Sequence, residues 1–116
     1  MCGINGFCNV HINISAHTAI SQMNTAIRNR GPDAGDSWQE ESIGLVLGHR
    51  RLAVQDLSPA GAQPMHSACG RYVLAFNGEI YNHLQLREQL ISEGNSLNWR
   101  GHSDTETLLA CFVAWG

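Results

Sequence analysis

The first residues of this chain restrict its fold more than any other stretch. From Cys2 to Cys8, small or polar residues alternate with apolar ones, and Val10 continues the pattern. Such alternation predicts a β-strand that begins almost at the N-terminus. A terminus held in a sheet is ordered, whereas most chain ends are not. Position 2 would therefore be fixed in space, as a reactive terminal residue requires.

Cysteine at position 2 has a chemical option that no internal cysteine has. If Met1 is removed, Cys2 carries a thiol and a free α-amine, and the unperturbed pKa of such an amine is about 7.7–8.0. The amine can then act as general base for the thiol, as it does for N-terminal threonine nucleophiles. A cysteine at this position is more often only a small strand residue, so the rest of the chain has to decide between the two interpretations.

Composition narrows the class of protein. A chain of 116 residues with 43% hydrophobic and 15% charged residues is typical of one globular domain. The formal charge is −3 and no basic run occurs, so nucleic acid is not an expected partner. The sequence contains neither an apolar run of membrane-spanning length nor a secretory signal pattern, so we expect a cytoplasmic protein without a membrane partner. The four cysteines lack C-x-x-C spacing, so we expect free thiols and no metal site.

A helix is predicted after the first strand. Ser15 is placed to open it, and Gly31 and Pro32 are placed to end it, with Gly31 either left-handed or, because a proline follows, extended. Arg30 and Asp33 flank this turn and could form an ion pair. The helix has one apolar stripe, formed by Ala16, Ala19, Ile20, Met23, Ala26 and Ile27.

The remaining segments alternate between strands and helices. Two strands are predicted around the polar turn at residues 40–42, and a third at residues 72–76. A helix with Asn82 as its N-cap and Gln85 at N3 should end at Gly94, and residues 97–99 could form a short strand. Residues 103–106 (SDTE) match a capping box, and the helix they open carries Leu108, Leu109, Phe112 and Val113 on one face.

Taken together, six segments resemble the N-terminal glutaminase domain of glutamine-hydrolysing asparagine synthetases. The resemblance covers essentially the whole chain, and the ordered set is much more specific than any one motif. This set of segments also distinguishes the chain from class II amidotransferases that aminate sugar phosphates or phosphoribosyl groups. The segments are MCGINGF at residues 1–7, RGPD at 30–33, GHRRL at 48–52, PAGAQP at 59–64, FNGEIYN at 76–82 and SDTE at 103–106.

This resemblance implies an α+β fold of the N-terminal-nucleophile (Ntn) hydrolase class. That fold is a four-layer αββα sandwich in which two antiparallel sheets pack between helical layers. Residues 1–116 would form the N-terminal part of the glutaminase domain, truncated at the C-terminus, with the synthetase domain absent from this chain. The strands and helices expected from the pattern are compatible with that fold but do not by themselves specify it.

The resemblance also implies roles for individual residues. Cys2 would be the nucleophile that attacks the side-chain amide of glutamine. Asn77, through its side-chain amide, and Gly78, through its backbone N–H, would form the oxyanion hole. Arg51 would bind the substrate α-carboxylate and Asp104 its α-ammonium group. The other residues expected to line the glutamine pocket are Leu52, Ala53, Val54, Gln55 and Glu79.

The implied function is glutamine hydrolysis to glutamate and ammonia. In a full-length asparagine synthetase, a ligase of asparagine biosynthesis, the ammonia is used for ATP-dependent amidation of aspartate. ATP and Mg²⁺ would bind the synthetase domain, and no cofactor is expected in residues 1–116. The expected partners are L-glutamine, the synthetase domain and a second copy in a homodimer. Two alternatives remain: an amidotransferase that uses another carboxylate, such as a polysaccharide sugar acid, and a non-catalytic truncated remnant.

Overall fold

A computed structural model describes residues 1–54 and 56–116 of the chain. Antiparallel sheets and three α-helices occur in these residues, which confirms an α+β fold. The chain divides into two units, each described by itself. The first unit comprises Met1–Ala53, Ala62–Pro64 and Ala75–Asn77, and the second comprises Val54–Gly61, Met65–Leu74 and Gly78–Gly116.

A three-stranded antiparallel sheet forms the first unit. Its strands are β1 (Gly3–Cys8), β2 (Ala34–Glu40) and β3 (Leu45–Arg51), in the order β1-β3-β2. The predicted first strand is confirmed, as is the pair of strands around residues 40–42. A short 3-10 turn, Glu41–Ile43, joins β2 to β3. Because β3 is central, its backbone pairs with both neighbouring strands.

Helix α1 (Ala16–Ala26) packs on one face of this sheet. It begins where predicted, because the Ser15 side chain accepts a hydrogen bond from the Thr18 backbone N–H. Ile20 and Val46 are each only 2% exposed, and burying such side chains contributes about 1.5–3 kcal/mol apiece. The apolar stripe therefore anchors α1 to the central strand.

The turn after α1 differs in form from a left-handed helix end. A 3-10 turn, Arg28–Arg30, extends the helix, and Gly31 then has φ −144° and ψ 83°. Gly31 is thus neither left-handed nor in regular extended geometry, because its ψ lies below the extended range. A Cβ atom at Gly31 would collide with the Arg50 backbone. Glycine is required here because the turn lies directly against β3.

The second unit contains a two-stranded antiparallel sheet and two packed helices. The strands are β4 (Met65–His66) and β5 (Val73–Leu74), and the helices are α2 (His83–Ser92) and α3 (Asp104–Trp115). The strand predicted at residues 72–76 is real but shorter, and residues 97–99 form no strand. The two helices pack on each other, and Leu90 (0% exposed) and Leu109 (3%) are their most buried apolar residues.

The ends of these helices correct two sequence predictions. Asn82 occupies the N-cap position of α2 but makes no side-chain capping bond, since its ψ of 22° is not the extended geometry that capping needs. Gly94, with φ +80°, follows the end of α2 as predicted. At α3, Ser103 caps the Glu106 N–H as predicted, but the Glu106 carboxylate binds the N–H groups of Arg100 and Gly101.

The apolar face predicted for the last helix is only partly covered. Leu109 is buried, whereas Phe112, Val113 and Trp115 are 45%, 41% and 47% exposed. Within residues 1–54 and 56–116, none of the helices combines the length and the apolar character needed to cross a lipid bilayer.

Candidate active site

Cys2 lies immediately before β1 and is held by the backbone that follows β3. Its Sγ accepts a hydrogen bond from the Leu52 N–H at 3.3 Å, and the thiol donates to the Leu52 carbonyl at 3.5 Å. The Cys2 carbonyl in turn accepts from Nε of Arg30 at 3.3 Å. The predicted nucleophile is therefore a half-buried thiol in a defined position.

The register of the sheet brings Cys2 and Arg51 together. Gly3 lies opposite Arg50 in this antiparallel pair. The same register, continued by one residue, places Cys2 beside Arg51. A Cβ atom at Gly3 would lie 2.8 Å from Cδ1 of Ile27, so Gly3 faces the α1 side of the sheet. Successive strand residues point to opposite faces. Cys2 and Arg51 therefore share the sheet face that is turned away from α1.

Arg50 points to the α1 side and has a different role. Its Nε donates to the Gly31 carbonyl at 2.8 Å, and its Nη2 donates to the Pro32 carbonyl at 3.3 Å. The guanidinium also covers Gly35 on the neighbouring strand. Arg50 thus ties the turn after α1 to the sheet. Adjacent arginines on one strand have separate functions here because strand side chains alternate.

The segment after β3 is held residue by residue. Cys2 binds Leu52, and the Ala53 N–H donates to Oδ2 of Asp33 at 2.8 Å. The Asp33 N–H donates to the Arg51 carbonyl at 3.0 Å. The suggested ion pair between Arg30 and Asp33 is wrong, because Arg30 binds the Cys2 carbonyl and Asp33 binds Ala53.

His49 belongs to the same neighbourhood, although its sequence context gave no sign of a role beyond structure or surface. It is 1% exposed, and its Nε2 lies 3.3 Å from the carbonyl oxygen of Phe76, the residue before Asn77. Burial lowers the pKa of His49, the hydrogen bond to Phe76 opposes this, and the positive charge of Arg51 lowers it further. The strand predicted here ended at Gly48, whereas β3 continues to Arg51, so the alternation of His49 with Arg51 became visible only in the structure.

Four residues predicted for the site belong to the second unit: Val54, Gly78, Glu79 and Asp104. Asp104 is 6% exposed, in the first turn of α3, and its Oδ2 accepts from the Ile80 N–H at 2.8 Å. Asp104 therefore holds the backbone that follows Gly78. Glu79 and Val54 are exposed. Gln55, also predicted for the pocket, lies outside the described residues.

Arg87 of α2 organises the segment that leads into α3. Its guanidinium donates to Oγ1 of Thr107 at 2.8 Å and to the carbonyls of Gly101 and Ser103, each at 2.9 Å. It lies 3.7 Å from the Glu106 carboxylate. Sequence patterns did not single out Arg87, because its hydrogen-bond partners lie 14–20 residues away. By fixing Ser103 and Glu106, it fixes the turn that carries Asp104.

The other cysteines differ from one another in environment. A hydrogen bond with Ser67 is the main cause that lowers the pKa of the exposed Cys69, whereas burial raises the pKa of Cys111. In residues 1–54 and 56–116, no group of three or more His, Cys, Asp or Glu side chains could hold a metal ion. A cleft of about 460 Å³ occurs in the first unit beside Phe7, Val10 and Glu40, and none of the predicted site residues lines it.

Residues 1–116, the whole chain, match the family model described as a glutamine amidotransferase domain. The chain therefore belongs to the glutamine amidotransferase family.

Among curated relatives, this chain is similar to asparagine synthetase [glutamine-hydrolyzing] 1 of Bacillus subtilis, with 42% identity over 97% of the chain and 17% of that protein. Asparagine synthetase B [glutamine-hydrolyzing] of Escherichia coli is 33% identical over 100% of the chain and 20% of that protein. Amidase chry2 of Gibberella zeae is 34% identical over 100% of the chain and 18% of that protein. The chain thus matches one fifth or less of the length of each of these relatives.

Proposed function

We propose that this chain is the glutaminase part of an asparagine-synthetase-like amidotransferase. The Cys2 sulfur attacks the side-chain carbonyl carbon of glutamine, the α-amine of Cys2 carries the thiol proton to the amide nitrogen, and the C–N bond breaks to release ammonia. Water then cleaves the glutamyl thioester and releases glutamate. The observation that carries this proposal is the Cys2 thiol, held at the start of β1 on the sheet face that it shares with Arg51.

Arg51 and Asp104 recognise the substrate in this proposal. A guanidinium forms two parallel hydrogen bonds to a carboxylate, a geometry that lysine does not reproduce. Arg51 therefore binds the α-carboxylate of glutamine. Asp104 uses Oδ2 for the Ile80 N–H, and its carboxylate provides the negative charge for the α-ammonium group. Together the two charges select a free amino acid over a peptide.

The remaining pocket residues have supporting roles. Asn77 and Gly78 stabilise the oxyanion, and one such donor contributes about 3–4 kcal/mol to catalysis. The other residues proposed for glutamine binding are Leu52, Ala53, Val54, Gln55 and Glu79, and the N–H groups of Leu52 and Ala53 are already bound by Cys2 and Asp33.

The wider context is also part of the proposal. We propose for this chain the fold of an N-terminal-nucleophile hydrolase, a four-layer αββα sandwich, and its α+β character supports this. A synthetase domain outside residues 1–116 binds ATP and Mg²⁺ and uses the ammonia to amidate aspartate. A homodimer is the proposed assembly. The names of the B. subtilis and E. coli relatives support this assignment.

The nucleophile is tested by Cys2→Ala, with Cys8→Ala as the matched control. Protein whose Met1 has been removed, as verified by mass spectrometry, is assayed for glutamate and ammonia. Cys2→Ala should abolish hydrolysis, whereas Cys8→Ala should keep normal activity because Cys8 is an exposed residue at the far end of β1. Full activity of the Cys2→Ala protein would remove Cys2 from the mechanism.

A second candidate function keeps the glutaminase chemistry but changes the ammonia acceptor. One relative that matches the full length of this chain is named an amidase and not an asparagine synthetase, so the family does not by itself fix the acceptor. Both functions require Cys2-dependent glutamine hydrolysis. They are distinguished by supplying the intact protein with ATP, glutamine and either aspartate or another carboxylate, and by identifying the amide that forms.

A further inference from the structure

Two buried side chains hold the backbone of Phe76, the residue that precedes Asn77. The Phe76 N–H donates to Oε1 of Gln63 at 2.6 Å, and the Phe76 carbonyl lies 3.3 Å from Nε2 of His49. Gln63 is 8% exposed and His49 is 1% exposed. Both polar backbone atoms of Phe76 are therefore bound by side chains shielded from water.

These side chains supply the two hydrogen bonds that a neighbouring strand would otherwise make to the backbone of Phe76. Strand β5 ends at Leu74, and no strand formed by residues 1–54 and 56–116 includes Phe76 or Asn77. Asn77 itself is exposed. A catalytic amide needs a fixed backbone, because a displacement of about 1 Å can reduce a rate by roughly 10²-fold. The two bonds to Phe76 provide that fixed point directly before Asn77.

His49 is held in one protonation state and one tautomer. A carbonyl oxygen can only accept, so Nε2 must carry the hydrogen and Nδ1 has the lone pair of a neutral ring. Nδ1 is buried, with no hydrogen-bond partner among the described residues. A proton on Nδ1 would be a buried, unpaired donor near the cationic Arg51, which is unfavourable. His49 is therefore a permanent Nε2–H donor to Phe76.

We propose that His49 and Gln63 are positioning residues that hold Asn77 where the oxyanion develops. This inference rests on the proposed function, in which Asn77 stabilises the oxyanion. An interaction made only in the transition state changes kcat and leaves KM almost unaffected. Loss of the Phe76 anchors should therefore reduce kcat, while glutamine binding through Arg51 stays intact.

The test compares variants that remove or keep the hydrogen bond. His49→Leu removes the donor, and His49→Gln retains an amide N–H. We expect His49→Leu to lower kcat for glutamine hydrolysis by about 10–100-fold with less than about a threefold change in KM. His49→Gln should recover most of that loss. His17→Leu, at an exposed position on α1, is the matched control and should leave both constants unchanged.

Substitutions of Gln63 provide an independent test if the His49→Leu protein does not fold. Gln63→Met removes the acceptor for the Phe76 N–H at similar size, whereas Gln22→Met makes the same substitution at an exposed position of α1. Only the Gln63 variant should lose kcat. In an Asn77→Ala background, neither His49→Leu nor Gln63→Met should reduce kcat further, because residues that act as one unit are not additive.

Two results would overturn the inference. One is a folded His49→Leu protein with normal kcat, and the other is a loss that persists undiminished in the Asn77→Ala background. Cys2→Ala, assayed in parallel, separates this inference from the proposed function. If Cys2→Ala is inactive and His49→Leu is normal, only the positioning role is wrong. If Cys2→Ala is active, the proposed function itself is wrong.

Discussion

Replacing Arg87 by methionine should destabilise the second unit more than the same replacement of Arg100, the other arginine that faces Glu106. Arg87 makes hydrogen bonds to Thr107, Gly101 and Ser103, and its guanidinium carbon lies 3.9 Å from the centre of the Trp99 ring. Its side chain is 11% exposed. Methionine keeps much of the volume but removes every donor.

The magnitude follows from the groups that lose their partner. Removing one partner of a buried ion pair costs about 3–5 kcal/mol. Glu106, whose side chain is 8% exposed, keeps the N–H groups of Arg100 and Gly101 and the Arg100 guanidinium at 3.6 Å. Its charge is therefore still partly compensated, which favours the lower end, about 3 kcal/mol. Against a typical domain stability of about 5–15 kcal/mol, that is a large fraction.

Arg100→Met is the matched control, because it removes the other arginine that faces Glu106. The Arg100 side chain is 51% exposed, and exposed ion pairs contribute about 0–1 kcal/mol. Arg87→Lys is an intermediate case, since it keeps the charge but cannot reach all three acceptors. We therefore expect the free energy of unfolding to be highest for Arg100→Met, intermediate for Arg87→Lys and lowest for Arg87→Met.

Equilibrium urea unfolding, followed by tryptophan fluorescence, measures these differences. Amide hydrogen exchange over residues 99–107 shows whether the loss is local. If Arg87→Met and Arg100→Met have equal unfolding free energies, the buried network contributes nothing beyond a surface pair and the reasoning is refuted. Unchanged exchange over residues 99–107 would contradict the claim that Arg87 fixes the start of α3.

Three further predictions concern other parts of the site. Arg51→Lys should raise the KM for glutamine far more than Arg50→Lys, which should mainly lower stability because Arg50 binds Gly31 and Pro32; equal KM values would mean that neither arginine selects the substrate. The pKa of His49 is lowered by burial, so below about pH 6.5 the unfolded state takes up a proton that the native state does not, and stability should fall by up to about 1.4 kcal/mol per pH unit. His49→Gln should flatten that part of the urea-midpoint profile, and an unchanged profile would contradict the assignment. Iodoacetamide should modify Cys69 before Cys111, because hydrogen bonding lowers the first thiol's pKa and burial raises the second's; peptide mapping that finds the reverse order would refute this.

Local patterns predicted much of the secondary structure. Alternation gave β1, the apolar stripe gave α1, and Ser15 and Ser103 marked two helix starts correctly. These features depend on residues within one or two turns of each other. The capping-box rule failed in one respect, because other partners occupy the side chain concerned. Glu106 binds the N–H groups of Arg100 and Gly101 and lies 3.7 Å from the Arg87 guanidinium.

The description of the site depended on both the sequence and the tertiary structure. The sequence determined the family, through an ordered set of motifs that spans the chain, and it named Cys2, Arg51 and Asp104 as candidates. Only the tertiary structure showed that Arg50 binds the turn after α1, and only it joined His49 and Gln63 to the backbone beside Asn77. The physical reason is that periodicity encodes which side of an element a residue occupies, whereas its hydrogen-bond partner depends on which distant segment packs there.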